Sequence, residues 1–266
     1  MRKAIMTIGL VFILIFSMVS NSLAGPTMDR ILKKGELVVG ITGTQPPLNA
    51  TTKDGKIIGM DADLANLIAT GLGAEVKFEV MPFAQLLPAL EKGKIDMVLS
   101  SMTMTLQRNR KVAFVGPYYA SGKGILTKSK NVAALEGREA LNESEFTIAV
   151  LKDSTSQAFV EETAKKARLF KAKSYEEALD KLFKDEVDAL VADLPYCVFT
   201  AIRYREKGLE AGEAPLSFEP LGIAIMEDAL LINWLENFMD LIKQTGIHKQ
   251  IHARWFKDGS WIKDIK

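Results

Sequence analysis

The sequence predicts an α/β protein built from two lobes, each with a mostly parallel sheet flanked by helices. Short runs of β-branched and apolar residues alternate with stretches of helical periodicity, and this alternation occurs twice along the chain. The 266 residues are 48% hydrophobic and 25% charged, which suffices for two separate cores. Two such lobes enclose a cleft, and loops at the carboxyl ends of parallel strands are common ligand sites.

The opening segment differs in composition from the rest of the chain. Arg2 and Lys3 precede an apolar run over residues 4–16, and Ser22 and Ala24 then have the small-x-small spacing of a signal-peptidase site. The alternative is a retained membrane anchor, which needs about 20 apolar residues. We therefore expect residues 1–24 to be a cleaved signal peptide. The mature protein would then reside in the periplasm, without the cysteine of a lipid-anchored lipoprotein near its start.

Charge and cysteine content exclude several functional classes. The chain has 34 basic and 33 acidic side chains, and the balance becomes −1 once residues 1–24 are removed. A chain so close to neutral has no overall positive potential that would attract nucleic acid or an anionic membrane. Its single cysteine, Cys197, excludes an internal disulfide. The Gly122–Gly124 segment lacks phosphate-loop spacing, and His248 and His252 lack the glutamate of the HExxH zinc pattern, so we expect no cofactor or metal.

The first lobe begins with a strand–helix–strand–helix–strand series. The first helix has Leu64, Leu67, Ile68 and Leu72 on one face, and a glycine ends it. The predicted elements are a strand at 36–41, a helix at 61–71, a strand at 76–80, a helix at 83–91 and a strand at 96–100.

The second lobe repeats that order of elements without repeating the sequence. Ser174 and Glu177 form a capping box that predicts a helix start. The predicted elements are strands at 147–151, 169–172 and 189–192, helices at 156–167 and 174–183, and a helical last third with an apolar face.

Hydroxyl and guanidinium groups follow the predicted strand at 96–100. Ser100, Ser101 and Thr103 lie at the strand end, and Arg108 comes shortly after them. A guanidinium binds a carboxylate through two parallel hydrogen bonds, and hydroxyls can satisfy the remaining lone pairs. The spacing alone is equally compatible with a solvated basic turn, because Arg108 is close to other basic residues.

Asp193 is the corresponding candidate in the second lobe. It directly follows an apolar strand, where its carboxylate could receive a cationic group. The alternative is that Asp193 caps the following helix, a role that aspartate commonly serves. On the residues alone the cap is the favoured interpretation.

Several motifs in a fixed order resemble those of the family 3 extracellular solute-binding proteins, the polar amino-acid receptors of ABC importers. The resemblance covers nearly all of the mature chain. The matching segments are Leu37–Gly40, Gly59–Ala65 with its G-M-D-A-D-L-A sequence, Lys94–Met97, Thr103–Arg108, Val115–Gly122, Val187–Asp193 and Gly246–Phe256.

The resemblance implies two lobes that close around one amino acid. Arg108 would bind the α-carboxylate with Thr103, Thr155 and the backbone of Ser101, and Asp193 would receive the α-ammonium. Phe83 would form a wall of the site, and Ser100, Gln45 and Thr42 complete the predicted set. The first lobe would comprise residues 25–120 and 220–266, and the second 121–219. The predicted hinge residues are Tyr118, Tyr119, Gly122 and Pro220.

Three departures from the family pattern bear on specificity. Gln45 replaces an aromatic lid, and Thr42 stands where receptors for basic amino acids tend to carry an acid. Without that acid a basic side chain would lack a counter-charge. Asp153 replaces a glycine, which puts the backbone geometry of that turn in question. Together these residues favour a neutral polar or small L-amino acid.

The resemblance also implies partners and leaves alternatives open. The protein would be a non-enzymatic monomer that delivers its ligand to an inner-membrane ABC permease. One alternative is an enzyme on the same scaffold, such as a cyclohexadienyl or arogenate dehydratase, which needs a general acid near the ligand. A buried glutamate in the cleft would support that alternative. The other is a ligand-sensing receptor component.

Overall fold

The computed structural model describes residues 25–134, 141–142 and 146–266. The predicted signal peptide at residues 1–24 lies outside the described residues. None of the helices in the described part of the chain combines the length and apolar character required to cross a bilayer.

The first half of the described chain forms a helix and strand series. It contains α1 (Pro26–Lys34), β1 (Glu36–Ile41), β2 (Thr44–Gln45), β3 (Asn49–Thr51), β4 (Ile57–Ile58), α2 (Met60–Gly71), β5 (Glu75–Val80), α3 (Phe83–Glu91), β6 (Met97–Val98) and β7 (Ala113–Ser121). A one-turn 3-10 helix at Arg108–Arg110 precedes β7.

The second half continues the alternation. It contains β8 (Lys123–Thr127), α4 (Lys130–Ala133), β9 (Thr147–Leu151), α5 (Thr155–Thr163), β10 (Arg168–Ala172), α6 (Tyr175–Phe183), β11 (Ala189–Asp193), α7 (Leu194–Arg203), β12 (Glu210–Ala211), β13 (Glu219–Ile225), α8 (Ala229–Gln244) and α9 (Ile247–Phe256). A 3-10 helix at Ser260–Asp264 follows α9.

Two five-stranded sheets define the two lobes and confirm the predicted fold class. Their strand orders are β5-β1-β6-β13-β7 and β10-β9-β11-β8-β12, and a small sheet, β2-β3-β4, adjoins the first. The sheets are more mixed than predicted, because β13 runs antiparallel to its neighbours β6 and β7 in the first sheet, and β8 runs antiparallel to its neighbours β11 and β12 in the second. The strands β1, β5 and β6 and the strands β9, β10 and β11 form the parallel parts.

Two element boundaries differ from the sequence-based expectation. Strand β6 is shorter than the predicted 96–100, and just beyond it the chain adopts a left-handed conformation at Ser101, whose φ is 52°. Helix α5 ends at Thr163 rather than at residue 167 and is followed by a turn before β10. The capping box at the start of α6 is confirmed in part, because the Ser174 side chain accepts the backbone N–H of Glu177.

Strands β7 and β13 pair with each other and carry the two crossings between the lobes. Pro220 lies opposite Ala120, and Leu221 lies opposite Tyr119. A Cβ added to Gly122 would lie 2.4 Å from the carbonyl oxygen of Ser217, so the close approach of the two crossings requires glycine there. The predicted lobe boundaries and hinge residues stay predictions, but they coincide with these paired strands.

The C-terminal segment forms a third connection between the lobes. Trp261 stacks on Phe199 of α7 with ring centroids 5.2 Å apart, and it packs against Trp255 of α9 at 5.3 Å. Ile265 is buried and forms a β-bridge with Thr52. The segment therefore contacts both the first-lobe helix α9 and the second-lobe helix α7, a contact that the sequence did not predict.

Candidate functional site

A narrow cavity of about 10 Å³, with space for about one water molecule, lies between the two lobes. The lobes are in contact around it, and the hydroxyl oxygens of Thr103 and Thr155 are 3.2 Å apart across the boundary. Six of the sequence-predicted ligand residues line this cavity, namely Gln45, Phe83, Ser101, Thr103, Thr155 and Asp193. Its other lining residues are Lys123, Leu151, Ser154, Ser156 and Tyr175.

Asp61 holds the loop after β6 in place from the side that faces the protein interior. The left-handed Ser101 donates its backbone N–H to Asp61 Oδ2 at 3.1 Å, and Asn49 Nδ2 donates to the same oxygen at 2.8 Å. Asp61 does not cap α2, although it lies in the first turn, because the N-cap of that helix is Gly59 and no side chain caps it. Asp61 instead fixes a strained backbone conformation at the floor of the cavity.

Burial determines the protonation behaviour of Asp61. The carboxyl is fully buried, and desolvation raises its pKa to about 7, while hydrogen bonds from Asn49 and the Ser101 backbone oppose the rise. Asp61 therefore titrates near neutral pH.

We predict that the protein loses stability as the pH rises from about 4 to about 7 because of Asp61. The folded-state pKa of about 7 lies above the ordinary value of 3.8, so the folded state binds more protons in this interval. The stabilising contribution is complete below the ordinary pKa and is lost as the pH rises through the folded pKa. Urea unfolding at a series of pH values should show this slope, and D61N should flatten it. An equal slope in both proteins would contradict the assignment.

Thr42 and Ser100 lie behind the cavity rather than in its wall. The Thr42 hydroxyl oxygen is 2.8 Å from Asn49 Oδ1 and 3.1 Å from Gln45 Oε1, and Ser100 Oγ accepts the backbone N–H of Thr42 at 3.0 Å. Both residues were predicted to bind ligand, and the structure places them in a buried network that positions Gln45. Gln45 from the first lobe and Tyr175 from the second both line the cavity.

Arg108 lies in the cleft next to the cavity. Its Nη1 donates to the Thr103 carbonyl at 2.9 Å, and its guanidinium lies 5.5 Å from the centre of the Phe83 ring. Burial lowers the pKa of Arg108, and the negative charges of Glu219 and Asp193 oppose this shift. No carboxylate in the described part of the chain forms an ion pair with Arg108. The turn is therefore not uniformly solvated, since Arg110 is exposed but Arg108 is half-buried.

Helix α5 presents its N-terminus to the same cavity. Its first residue is Thr155, and Ser154 caps the helix by accepting the backbone N–H of Gln157. Asp153 adopts a left-handed φ of 59°, so the turn keeps a conformation in which glycine is usual. The replacement of glycine by Asp153 therefore does not change the backbone conformation of this turn. The positive end of the helix dipole and its free amides favour an anion at this end of the cavity.

Asp193 is bound to a cation supplied by the protein itself. Antiparallel pairing of β8 and β11 places Lys123 directly opposite Asp193, and Lys123 Nζ lies 2.7 Å from Asp193 Oδ1. The ammonium also donates to Thr155 Oγ1 at 2.7 Å and lies 3.4 Å from Glu219 Oε2. Asp193 occupies the N-cap position of α7 but makes no capping hydrogen bond, so the cap interpretation is wrong.

Sequence reasoning missed the cavity-lining Lys123 and Tyr175, and it also missed Glu219, which contacts Lys123. Lys123 is 1% exposed and Glu219 is 7% exposed. The Gly122–Gly124 segment was considered only as a phosphate loop, although a lysine at the start of an apolar strand was itself a signal. Glu219 directly precedes a predicted hinge proline, which gave no indication of its charge partner.

The hinge region is packed with aromatic side chains. Tyr118 is buried, and its carbonyl oxygen lies 2.6 Å from His248 Nε2. His252 stacks on Phe256 at 4.5 Å and on Tyr119 at 5.9 Å. The two histidines thus pack against the crossing strand rather than facing solvent freely. No cluster of three metal-ligating side chains occurs in the residues that the structure describes.

These features define a class of protein, a two-lobed α/β binding protein with a small-molecule site at the lobe interface. The family model of bacterial extracellular solute-binding proteins, family 3, matches residues 37–258. The chain belongs to this family.

The individual relatives of the chain are named for different ligands or activities. The chain is 27% identical to an ABC transporter arginine-binding protein of Escherichia coli, over 82% of this chain and 89% of the relative. It is 23% identical to a cyclohexadienyl dehydratase of Pseudomonas aeruginosa, over 86% of both chains. A solved structure of an ancestral arginine-binding protein bound to glutamine is 31% identical, covers 84% of this chain and 99% of its own, and has a TM-score of 0.78.

Proposed function

We propose that this protein captures an L-amino acid with a neutral polar or small side chain between its two lobes and delivers it to an ABC importer. The observation that carries the proposal is the division of charge around one interlobe cavity. Groups that favour an anion, Arg108 and the N-terminus of α5, adjoin one part of it, and the buried acid Asp193 lines another. An amino acid presents that same pair of charges.

The carboxylate would bind where the two lobes meet. Arg108 retains guanidinium N–H groups beyond the one given to Thr103, and Thr103 and Thr155 add hydroxyls from opposite lobes. A carboxylate bridging these groups would contact both lobes at once. Because those contacts exist together only when the lobes are closed, the ligand would stabilise the closed arrangement.

The neutral polar groups of the first lobe support a neutral ligand side chain. Gln45 lines the cavity with an amide, and Thr42 holds that amide in place from behind. A basic ligand side chain directed here would meet an amide instead of a carboxylate.

Delivery to an importer in the periplasm is part of the proposal, and membership of the family supports it. The Escherichia coli relative is named as a component of an ABC transporter. The sequence of residues 1–24 predicts export across the inner membrane.

A thermal-shift screen against the twenty amino acids tests this function. We expect a neutral polar amino acid, present at about a hundred times its Kd, to raise Tm by roughly 5–10 °C. Arginine and lysine at the same concentration should give smaller shifts. The absence of a shift with every amino acid would contradict the proposal.

One observation favours a second candidate, a dehydratase. Glu219 is a buried glutamate beside the cavity, and a relative is named cyclohexadienyl dehydratase. A general acid must carry a proton to donate, however, and Glu219 accepts from the Ser217 hydroxyl and lies 3.4 Å from the Lys123 ammonium. These contacts suit a carboxylate anion, which makes binding the better-supported function. Incubation with prephenate or arogenate, with detection of the aromatic product, distinguishes the two.

A further inference from the structure

We propose that Lys123 is a built-in cation that determines the charge of the ligand: it holds Asp193 until a ligand ammonium displaces it onto Glu219. This inference rests on the proposed function, because it concerns the same site. It assigns to Lys123 the exclusion of cationic amino acids, a role distinct from direct ligand contact.

Glu219 provides a second carboxylate acceptor close to the Lys123 ammonium. Lys123 Nζ is 2.7 Å from Asp193 Oδ1 and 3.4 Å from Glu219 Oε2, so it lies between two carboxylates and is closer to one. A small rotation of the flexible lysine stem exchanges the closer partner. All three side chains are at least nine-tenths buried, so water cannot readily replace either carboxylate as a partner.

Charge balance explains the consequence for specificity. The cluster contains two cations, Arg108 and Lys123, and two anions, Asp193 and Glu219. A zwitterion with a neutral side chain leaves that balance unchanged, since its carboxylate is received by Arg108 and its ammonium by Asp193. A ligand with an additional positive charge adds an uncompensated charge to a buried site, which is costly.

Replacing Lys123 by methionine tests the inference, because methionine keeps the length of the side chain and removes the charge. Calorimetric titrations with L-glutamine and L-arginine give the ratio of the two affinities. We expect the wild-type protein to prefer glutamine and K123M to lower that preference by at least about tenfold. K128M is the matched control, since Lys128 pairs with Asp185 at the far end of β8, and it should leave the ratio unchanged.

A double-mutant cycle with Glu219 tests the displacement itself. If Lys123 moves to Glu219 on binding, E219Q should weaken glutamine binding by at least about tenfold while Lys123 is present. In the K123M background the same substitution should cost less than about threefold, because no ammonium then needs a second acceptor. E219Q alone keeps the inference testable if K123M does not fold.

The outcomes separate this inference from the proposed function. Equal losses for glutamine and arginine in K123M would indicate direct ligand contact by Lys123 and would overturn the inference. An additive cycle would overturn the displacement. If the wild-type protein binds no amino acid at all, the proposed function itself fails.

Discussion

Replacing Arg108 by alanine is expected to weaken amino-acid binding by at least about a hundredfold, or about 3 kcal/mol. Arg108 is the one guanidinium that adjoins the cavity, in the part of the chain that the structure describes. It is half-buried over Phe83 and forms no ion pair with a carboxylate of the described chain. Removing one member of a buried charge pair typically costs about 2–5 kcal/mol.

Arg110 offers a matched control for this prediction. It belongs to the same 3-10 turn but is exposed to solvent, so Arg110→Ala should change the affinity less than about twofold. Arg108→Lys should recover only part of the binding, because an ammonium cannot form two parallel hydrogen bonds with a carboxylate. Titration calorimetry measures all three variants. An unchanged affinity in Arg108→Ala would rule out the carboxylate assignment.

The second large effect is expected at Trp261, where alanine should lower the free energy of unfolding by about 3–5 kcal/mol. The indole is nine-tenths buried and packs between Phe199 and Trp255, which belong to helices on opposite sides of the interlobe boundary. Alanine removes the aromatic stacking and leaves a cavity that two separate lobes cannot easily fill.

Urea unfolding followed by circular dichroism measures this loss. Trp261→Phe is the control, because it keeps an aromatic ring against Phe199, and it should cost clearly less than alanine. A loss of less than about 1 kcal/mol in the free energy of unfolding for Trp261→Ala would show that the C-terminal segment contributes little to the stability of the contact between the lobes.

The elements that sequence predicted well are those whose apolar periodicity is complete. Helix α2 has Leu64 and Ile68 fully buried on the predicted face, and β1 and β9 begin and end close to the predicted residues. The prediction was less accurate where the backbone is set by a distant partner. Asp61 accepts the backbone N–H of Ser101, which has a left-handed conformation just beyond β6, and no local pattern around residue 100 encodes that contact.

From the residues alone, the site was predictable only where single residues stand after strand ends, whereas Phe83 and Thr155 were predicted from the family resemblance. Asp193 and Thr103 line the predicted cleft, as their positions indicated. The contact between Lys123 and Asp193 spans 70 residues and depends on the antiparallel register of β8 and β11. The alternation of predicted strands and helices indicated mostly parallel strands, and a parallel arrangement of β8 and β11 would not bring these two residues together. Because the antiparallel register was not predicted, the pairing of Lys123 with Asp193 was not predicted either.

The most direct test of the amino-acid site compares a ligand with its deaminated analogue. The best amino acid from the thermal-shift screen and the corresponding 2-hydroxy acid, which lacks the ammonium, would each be titrated calorimetrically into the mature protein. We predict one binding site per chain and an affinity at least about a hundredfold higher for the amino acid, because only it can pair with Asp193. Equal affinities for the two compounds would contradict the assignment of Asp193 as the ammonium acceptor and with it the proposed mode of capture.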